Sequence, residues 1–190
     1  MKHIFPDKRT IRKASLSVRN SLSVSEVKQK SAKITAQLIE QSYFVDSHTI
    51  HIYASIKKNR EVFTDHLINA SLKLGKKVVV PKMQKGGDLT HHAISSLDDL
   101  SVNCWGVPEP ENTFQQVHPD ELSLVIVPMV AADFRKNRIG YGKGYYDRFL
   151  MQTKARRTGL CYNCTLSWIP LPVDSNDQKM DQIITETKVI

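Results

Sequence analysis

The chain has 190 residues, 41% hydrophobic and 24% charged, enough to bury one core without disulfide or metal staples. Its most apolar run, Leu122–Ala132, is too short to cross a bilayer and contains Pro128, and no apolar segment follows the basic N-terminus as a secretory signal requires. The net charge of +8 is concentrated at the start: residues 1–33 hold nine cations, Lys2 among them, against Asp7 and Glu26, so seven of the eight net charges lie there. Such a segment suits an anionic partner or is simply a solvated face. Three cysteines, Cys104, Cys161 and Cys164, are read as reduced thiols in a cytoplasm.

Pro6–Ser21 has helical periodicity. Ile11, Ala14, Val18 and Leu22 form the stripe expected in the core, while Lys8, Arg12, Ser15 and Arg19 form a second stripe on which Lys8 and Arg12 can clasp one phosphate. Ser23-Val24-Ser25-Glu26 is a capping box opening a second helix to about Gln41, with Val27, Ser31, Ile34 and Leu38 buried. Thr49–Ala54 reads as a strand, Ser55–Glu61 as a loop, and Thr64 as the cap of a helix ended by Gly75. Lys77–Pro81 and Leu89–Ile94 read as strands around a Gly86-Gly87 turn. Ser95–Gln116 is irregular, its prolines forbidding helix at Pro108 and Pro110. Leu122–Val127 is the central strand, Tyr145–Thr153 a helix, and Arg157–Tyr162 and Gln182–Thr185 further strands. This alternation predicts a three-layer α/β/α fold with a mostly parallel, mixed sheet. Ligands then sit beyond the carboxyl ends of its strands.

The chemistry gathers in Arg138-Ile139-Gly140-Tyr141-Gly142-Lys143-Gly144-Tyr145-Tyr146-Asp147. Glycines leave backbone N–H groups open to an anion, Arg138 and Lys143 add charged donors, and Asp147 can hold a divalent cation on the same anion. The stretch is neither a Walker loop nor the dinucleotide fingerprint. Its glycines alone are equally compatible with a tight turn. Cys161 and Cys164 have metal-ligand spacing without a second pair and read better as two small buried residues. His91 and His92, adjacent in a strand, point to opposite faces. Trp105 offers either core packing or a flat wall for an aromatic ligand. Glu61 alone reads as a first-turn charge more readily than as a functional group. Asp177 and Asp181 read as exposed tail carboxylates, one of which can share a magnesium ion with Asp147.

Taken together, Lys8–Arg12, Tyr53, Glu61–Thr64, Gly75 to Pro81, Gly106–Pro110, Pro128, Arg138–Asp147, Leu171–Asp177 and Asp181–Glu186 resemble the 5-formyltetrahydrofolate cyclo-ligase family over most of the chain. The resemblance implies one domain over residues 1–190 that closes 5-formyltetrahydrofolate to 5,10-methenyltetrahydrofolate at the expense of ATP. It implies ATP contacts at Lys8, Arg9, Thr10, Ile11 and Arg12, and along the loop at Arg138, Ile139, Gly140, Tyr141, Gly142, Lys143, Gly144, Tyr145 and Tyr146. Arg138, Lys143 and Tyr145 would be catalytic. Folate would meet Ile56, Glu61 and the stretch Tyr141–Tyr145, with Trp105 stacking on it. Magnesium would be held by Asp147 and Asp177. The expected partners are ATP and the folate, with or without a polyglutamate tail. A cytoplasmic monomer is expected, with no nucleic acid or membrane partner. Two positions depart from the family pattern: Lys136 stands where many relatives have glycine, and Asn176 where a histidine is common. A nucleic-acid-binding protein using the basic first helices, and a phosphate-binding enzyme of the same fold with other chemistry, are the competing readings; the first lacks aromatic residues among its cations, with only Phe5 in residues 1–33.

Overall fold

The computed structural model describes residues 6–111 and 114–190; Lys2 and Phe5 lie outside them. In chain order the elements are α1 (Lys8–Ser21), α2 (Val24–Ile39), α3 (Ser42–Asp46), β1 (Thr49–Ile52), α4 (Asp65–Lys73), β2 (Lys77–Met83), β3 (Leu89–Ile94), β4 (Leu100–Val102), β5 (Pro108–Pro110), β6 (Leu124–Pro128), β7 (Ala131–Asp133), β8 (Arg138–Ile139), α5 (Tyr145–Leu150), β9 (Arg156–Leu160), β10 (Leu166–Ser167) and β11 (Gln182–Ile184).

Six strands form the main sheet in the order β11-β9-β6-β1-β2-β3. All pairs are parallel except β2 with β3, which the Gly86-Gly87 turn makes an antiparallel hairpin. On one face, Val27, Ile34 and Leu38 of α2 and Leu67 and Ile68 of α4 bury Ile50, Ile52, Val78, Val80, Leu124 and Ile126. On the other, Phe149 and Leu150 of the short α5 join loop residues over Val79, Val125 and Val127. The expected layered α/β sheet is therefore present, with one helical cover much thinner than the other. The unbroken apolar run of β6 follows from burial on both faces.

The capping box opens α2 through both reciprocal bonds, Ser23 with Glu26, and Val27, Ser31, Ile34 and Leu38 are buried as their spacing predicts. Thr64 precedes α4 but does not cap it with its side chain; its hydroxyl instead donates to the Tyr53 carbonyl at 2.6 Å, pinning the end of β1.

The first helix reverses expectation. Val18 is 43% exposed and Ala14 is exposed as well, while Arg19 is buried at 2% exposure and Lys8, Arg12 and Ser15 are partly buried. The cationic stripe, not the small apolar one, faces inward. Of the supposed core stripe, Ile11 reaches a small buried cluster of Ala131, Ile139 and Leu171, and Leu22, just past the helix end, packs against the main core; Ala14 and Val18 do not follow them inward.

A hairpin that the periodicity did not reveal, β7 with β8, lies between the central strand and the glycine stretch, joined by β10 in a separate three-stranded sheet. Its turn is organised by Asp133, whose carboxylate accepts from the backbone of Arg135, Asn137 and Leu171 and from the Asn137 amide. Lys136 closes the turn at φ 66°, the left-handed region where glycine is cheapest. Cys161 is buried, whereas Cys164 and Cys104 are exposed, so only one of the paired cysteines fits the packing expectation.

Candidate active site

Strand order reverses between β1 and β6: the chain runs outward from β1 to β2 on one side and from β6 to β9 and β11 on the other. Such a reversal splays the connections leaving the carboxyl ends and opens a crevice there. A cleft of about 990 Å³ occupies that position, and Tyr53 and Pro128, at the ends of β1 and β6, lie in its wall. Lys8 and Arg12 enter it from α1, Ile56 and Glu61 from the loop after β1, Trp105 from the irregular segment, and Arg138 to Asp147 from the glycine stretch.

Arg12 docks on the stretch directly, its Nε donating to the Gly140 carbonyl at 2.7 Å. The guanidinium lies so close that a Cβ on Gly142 would sit 3.0 Å from Arg12 Cζ, and Gly142 has φ 90°. The bend therefore favours glycine there, and a Cβ would also make the Arg12 guanidinium shift. Among the described residues, the N–H groups of Tyr141, Gly142, Lys143 and Gly144 make no backbone or side-chain hydrogen bond within the protein. Unpartnered backbone donors beside cations form a cradle for an anion. Lys143 is exposed at the cleft rim.

Arg138 is buried and Nη2 donates to Asp147 Oδ1 at 2.5 Å. The Gln178 N–H also reaches Oδ1, at 3.2 Å, which brings the tail beside the loop. Lys8 donates to Asp174 at 2.6 Å and to Asp177. Burial alone would lower the Lys8 pKa, but its two carboxylate bonds prevail and raise it. Among the described residues, two buried donors in the wall lack a protein partner: Nε of Arg138 and the hydroxyl of Tyr146. Leaving such groups unbonded is costly, so both are ready to meet a ligand.

Glu61, 4% exposed, accepts from Tyr141 Oη at 2.5 Å on Oε1 and from the Ile56 N–H at 2.6 Å on Oε2. Burial pushes its pKa up; the Tyr141 bond, the Ile56 N–H and Arg19 oppose that rise. Arg19 Nη2 donates to Tyr141 Oη at 2.6 Å. Burial and the Glu61 charge together raise the Tyr141 phenol well above its ordinary range, so it is a neutral donor.

The structure thus brings together Lys8, Arg12, Ile56, Glu61, Trp105, the whole Arg138–Asp147 stretch and Asp177. Trp105 is 73% exposed, a cleft wall rather than core. Arg9 and Thr10 are exposed and outside the cleft wall, and Ile11 packs against Ile139 instead. Asp181 is not in the wall; it accepts from the Arg157 N–H. His91 and His92 are both buried, His91 against His51 and Phe149. Three contributors were not singled out by the sequence. Asp174 shares Lys8. Arg148 donates to the carbonyls of Gly87 and Lys143, and its guanidinium lies 5.7 Å from the Tyr145 ring centre, tying the β2–β3 turn to the glycine loop. Arg19 was visible only as the last member of the cationic stripe.

The carboxylates suit a hard cation that takes oxygen ligands. Oδ2 of Asp147 and Oδ1 of Asp177 accept no hydrogen bond among the described residues. Yet those residues contain no group of three or more metal-binding side chains. The donor set fits magnesium, which typically takes one or two carboxylates and completes its shell with phosphate oxygens and water.

The 5-formyltetrahydrofolate cyclo-ligase family model matches residues 4–186. The NMR structure of 5,10-methenyltetrahydrofolate synthetase from Aquifex aeolicus is similar at a TM-score of 0.84 and 32% identity, covering 96% of this chain and 91% of that one. A Schizosaccharomyces pombe protein named "Probable 5-formyltetrahydrofolate cyclo-ligase" is 30% identical over 181 residues, 86% of this chain and 87% of the relative. The 5-formyltetrahydrofolate cyclo-ligase of Escherichia coli K12 is 27% identical over 177 residues, 90% and 96% of the two chains. No helix among the described residues is long and apolar enough to cross a membrane.

Proposed function

This chain belongs to the 5-formyltetrahydrofolate cyclo-ligase family, and from that premise we propose how its cleft carries out the reaction. It is an ATP-dependent cyclo-ligase of folate metabolism that converts 5-formyltetrahydrofolate to 5,10-methenyltetrahydrofolate with release of ADP and phosphate. We take residues 1–190 as one catalytic unit, acting as a cytoplasmic monomer on folates with or without a polyglutamate tail.

Hydroxide is a poor leaving group from a formamide, so the oxygen must be activated. The formyl oxygen attacks the terminal phosphorus of ATP and the bond to ADP breaks. The neighbouring folate nitrogen then attacks the formyl carbon, loses its proton, and expels the oxygen as inorganic phosphate. Phosphoryl transfer of this kind depends on positioning and on neutralising charge more than on a covalent nucleophile. Lys8 and Arg12 grip the nucleotide phosphates, the open N–H groups of the glycine loop cradle them, and Arg138 and Lys143 balance charge on the transferring group. Tyr145 lies beside the reacting oxygen, and Tyr141 borders both substrates. Glu61 receives the donor edge of the pterin, and Ile56 and Trp105 pack on its faces. Asp147 and Asp177 would hold magnesium, which would supply further neutralisation of phosphate charge.

The observation that carries this reading is the convergence of Lys8 and Arg12 from the first helix with Arg138 and Lys143 from the loop on one cleft that also contains Glu61. The test is incubation with 5-formyltetrahydrofolate, ATP and magnesium while following the near-ultraviolet absorbance of the methenyl product. Substrate labelled with ¹⁸O in the formyl group should pass its label to the released phosphate. Unlabelled phosphate would rule out the activated-oxygen route, and absence of product from folded protein would rule out the assignment.

A further inference from the structure

Arg19 belongs to the helix that brings Lys8 and Arg12 to the nucleotide, yet its own side chain goes elsewhere. It is 2% exposed, with Nη1 donating to the Met129 carbonyl at 3.3 Å and Nη2 to Tyr141 Oη at 2.6 Å. A guanidinium taken out of water needs a compensating anion. The chain of contacts supplies one carboxylate, Glu61, one phenol away.

The direction of these hydrogen bonds is set by chemistry. Arginine only donates, so Tyr141 must accept from Arg19 and turn its single proton toward Glu61. The Ile56 N–H occupies the other carboxylate oxygen. Both oxygens of Glu61 are therefore acceptors in place, each with lone-pair capacity left for a ligand. An amino group next to a ring N–H, the pattern on the pyrimidine edge of a pterin, needs two such acceptors side by side. We propose that Arg19 is a positioning residue that acts through Tyr141 to hold Glu61 as an oriented anion for the pterin, and so determines affinity for the folate rather than for ATP. This rests on the reading that Glu61 receives the pterin.

The rest of the surroundings cannot substitute for Arg19. Among the described residues, only phenols otherwise share the neighbourhood of the Glu61 charge: Tyr141 in the loop bonds the carboxylate, Tyr53 at the end of β1 and Tyr146 in α5 feel its charge, and Tyr162 donates to its backbone carbonyl. Burial and Glu61 itself keep Tyr53, Tyr141 and Tyr146 protonated, so they carry no charge. Arg19 is the cation that opposes the effect of burial on Glu61.

The test is the KM for 5-formyltetrahydrofolate and for ATP in Arg19→Met, Arg19→Lys, Tyr141→Phe and Glu61→Gln, measured from about pH 6 to about pH 8. Arg19→Met should raise the folate KM about tenfold or more, increasingly so as pH is lowered, and leave the ATP KM within about twofold. Arg19→Lys, which keeps the charge, should restore most of the affinity across the range. Tyr141→Phe breaks the relay without removing the arginine and should reproduce the acid-dependent loss, which keeps the inference testable if Arg19→Met does not fold. An equal, pH-independent rise in both KM values would show that Arg19 merely seats α1 and would overturn the inference. So would an unchanged folate KM in Arg19→Met when Glu61→Gln raises it. An unchanged folate KM in Glu61→Gln would overturn the reading of Glu61 and the inference with it.

Discussion

Arg138 Nη2 and Asp147 Oδ1 lie 2.5 Å apart, so a cation assigned to the transferring phosphoryl group and a carboxylate assigned to the metal neutralise each other. Lys8, assigned to the nucleotide phosphates, and Asp177, assigned to the metal, repeat the arrangement. Each carboxylate can take a metal more readily once its cation has moved to a phosphate.

Metal and nucleotide should therefore bind with positive coupling. Titration of Mn²⁺ by electron paramagnetic resonance should show weak binding alone and binding at least about fivefold tighter with a non-hydrolysable ATP analogue, the low end of ordinary coupling energies. Asp147→Asn should abolish most of that gain and lower kcat by about 100-fold or more. It should also cost about 1–3 kcal/mol of stability, because Arg138 loses its charged partner. Equal Mn²⁺ affinity with and without nucleotide would contradict the exchange.

Gly142→Ala places a methyl group 3.0 Å from Arg12 Cζ at a backbone φ of 90°. The strain costs about 1–3 kcal/mol if the loop keeps its shape, and Arg12 must give way. The ATP KM should rise about tenfold while the melting temperature falls by about 2–12 °C. Wild-type affinity for ATP would show that the loop tolerates another path.

His51 and His91 form a buried edge-to-face pair, ring centres 5.1 Å apart, packed on Phe149. Burial holds His51 well below the usual histidine range; burial and the neighbouring His92 and His118 bring His91 down to about 4. Because the folded pKa values are depressed, the unfolded chain binds more protons as pH falls below the ordinary histidine value of about 6.5. Stability should be flat with respect to these groups above that point and decline toward pH 4, by about 3 kcal/mol for His91 alone. Urea denaturation across that window should show the decline, and His91→Leu should flatten part of it. An identical acid limb in the variant would remove His91 from the account.

Lys136 occupies φ 66° in the Asp133 turn. Replacing it by glycine removes a left-handed cost of about 1–2 kcal/mol but gives back about 0.5–1 kcal/mol of unfolded-chain entropy. The Lys136 Nζ bond to the exposed backbone carbonyl of Asp181 is also lost. Lys136→Gly should be neutral to slightly stabilising, with the melting temperature unchanged or a few degrees higher and turnover unaffected. A clear loss of stability would mean that the lysine's contact outweighs the strain.

Much of this molecule is legible in its primary sequence because the relevant forces act over a few residues. The Ser23–Glu26 box is closed by neighbours three positions apart, and Val27, Ser31, Ile34 and Leu38 share a helix face whatever lies opposite. The apolar run of the central strand announces burial on both sides, and the glycines between Arg138 and Asp147 mark close approach of a backbone to charged groups. Family motifs carried the residues of the cleft further than spacing alone.

The orientation of the first helix could not be read this way. Ala14 and Val18 are small and gain little by burial, whereas the side of the helix that turns inward is chosen by what waits there: the Gly140 carbonyl for Arg12, Tyr141 for Arg19, and Asp174 and Asp177 for Lys8. Those partners are more than a hundred residues away in the chain. By itself the sequence determined the layered α/β sheet and the capped second helix, because local hydrogen bonding and side-chain period suffice for them. Only the tertiary structure decided that a row of cations would face the interior and that Arg19 would lie behind Glu61, because burying a charge is favourable only where the fold delivers its partner.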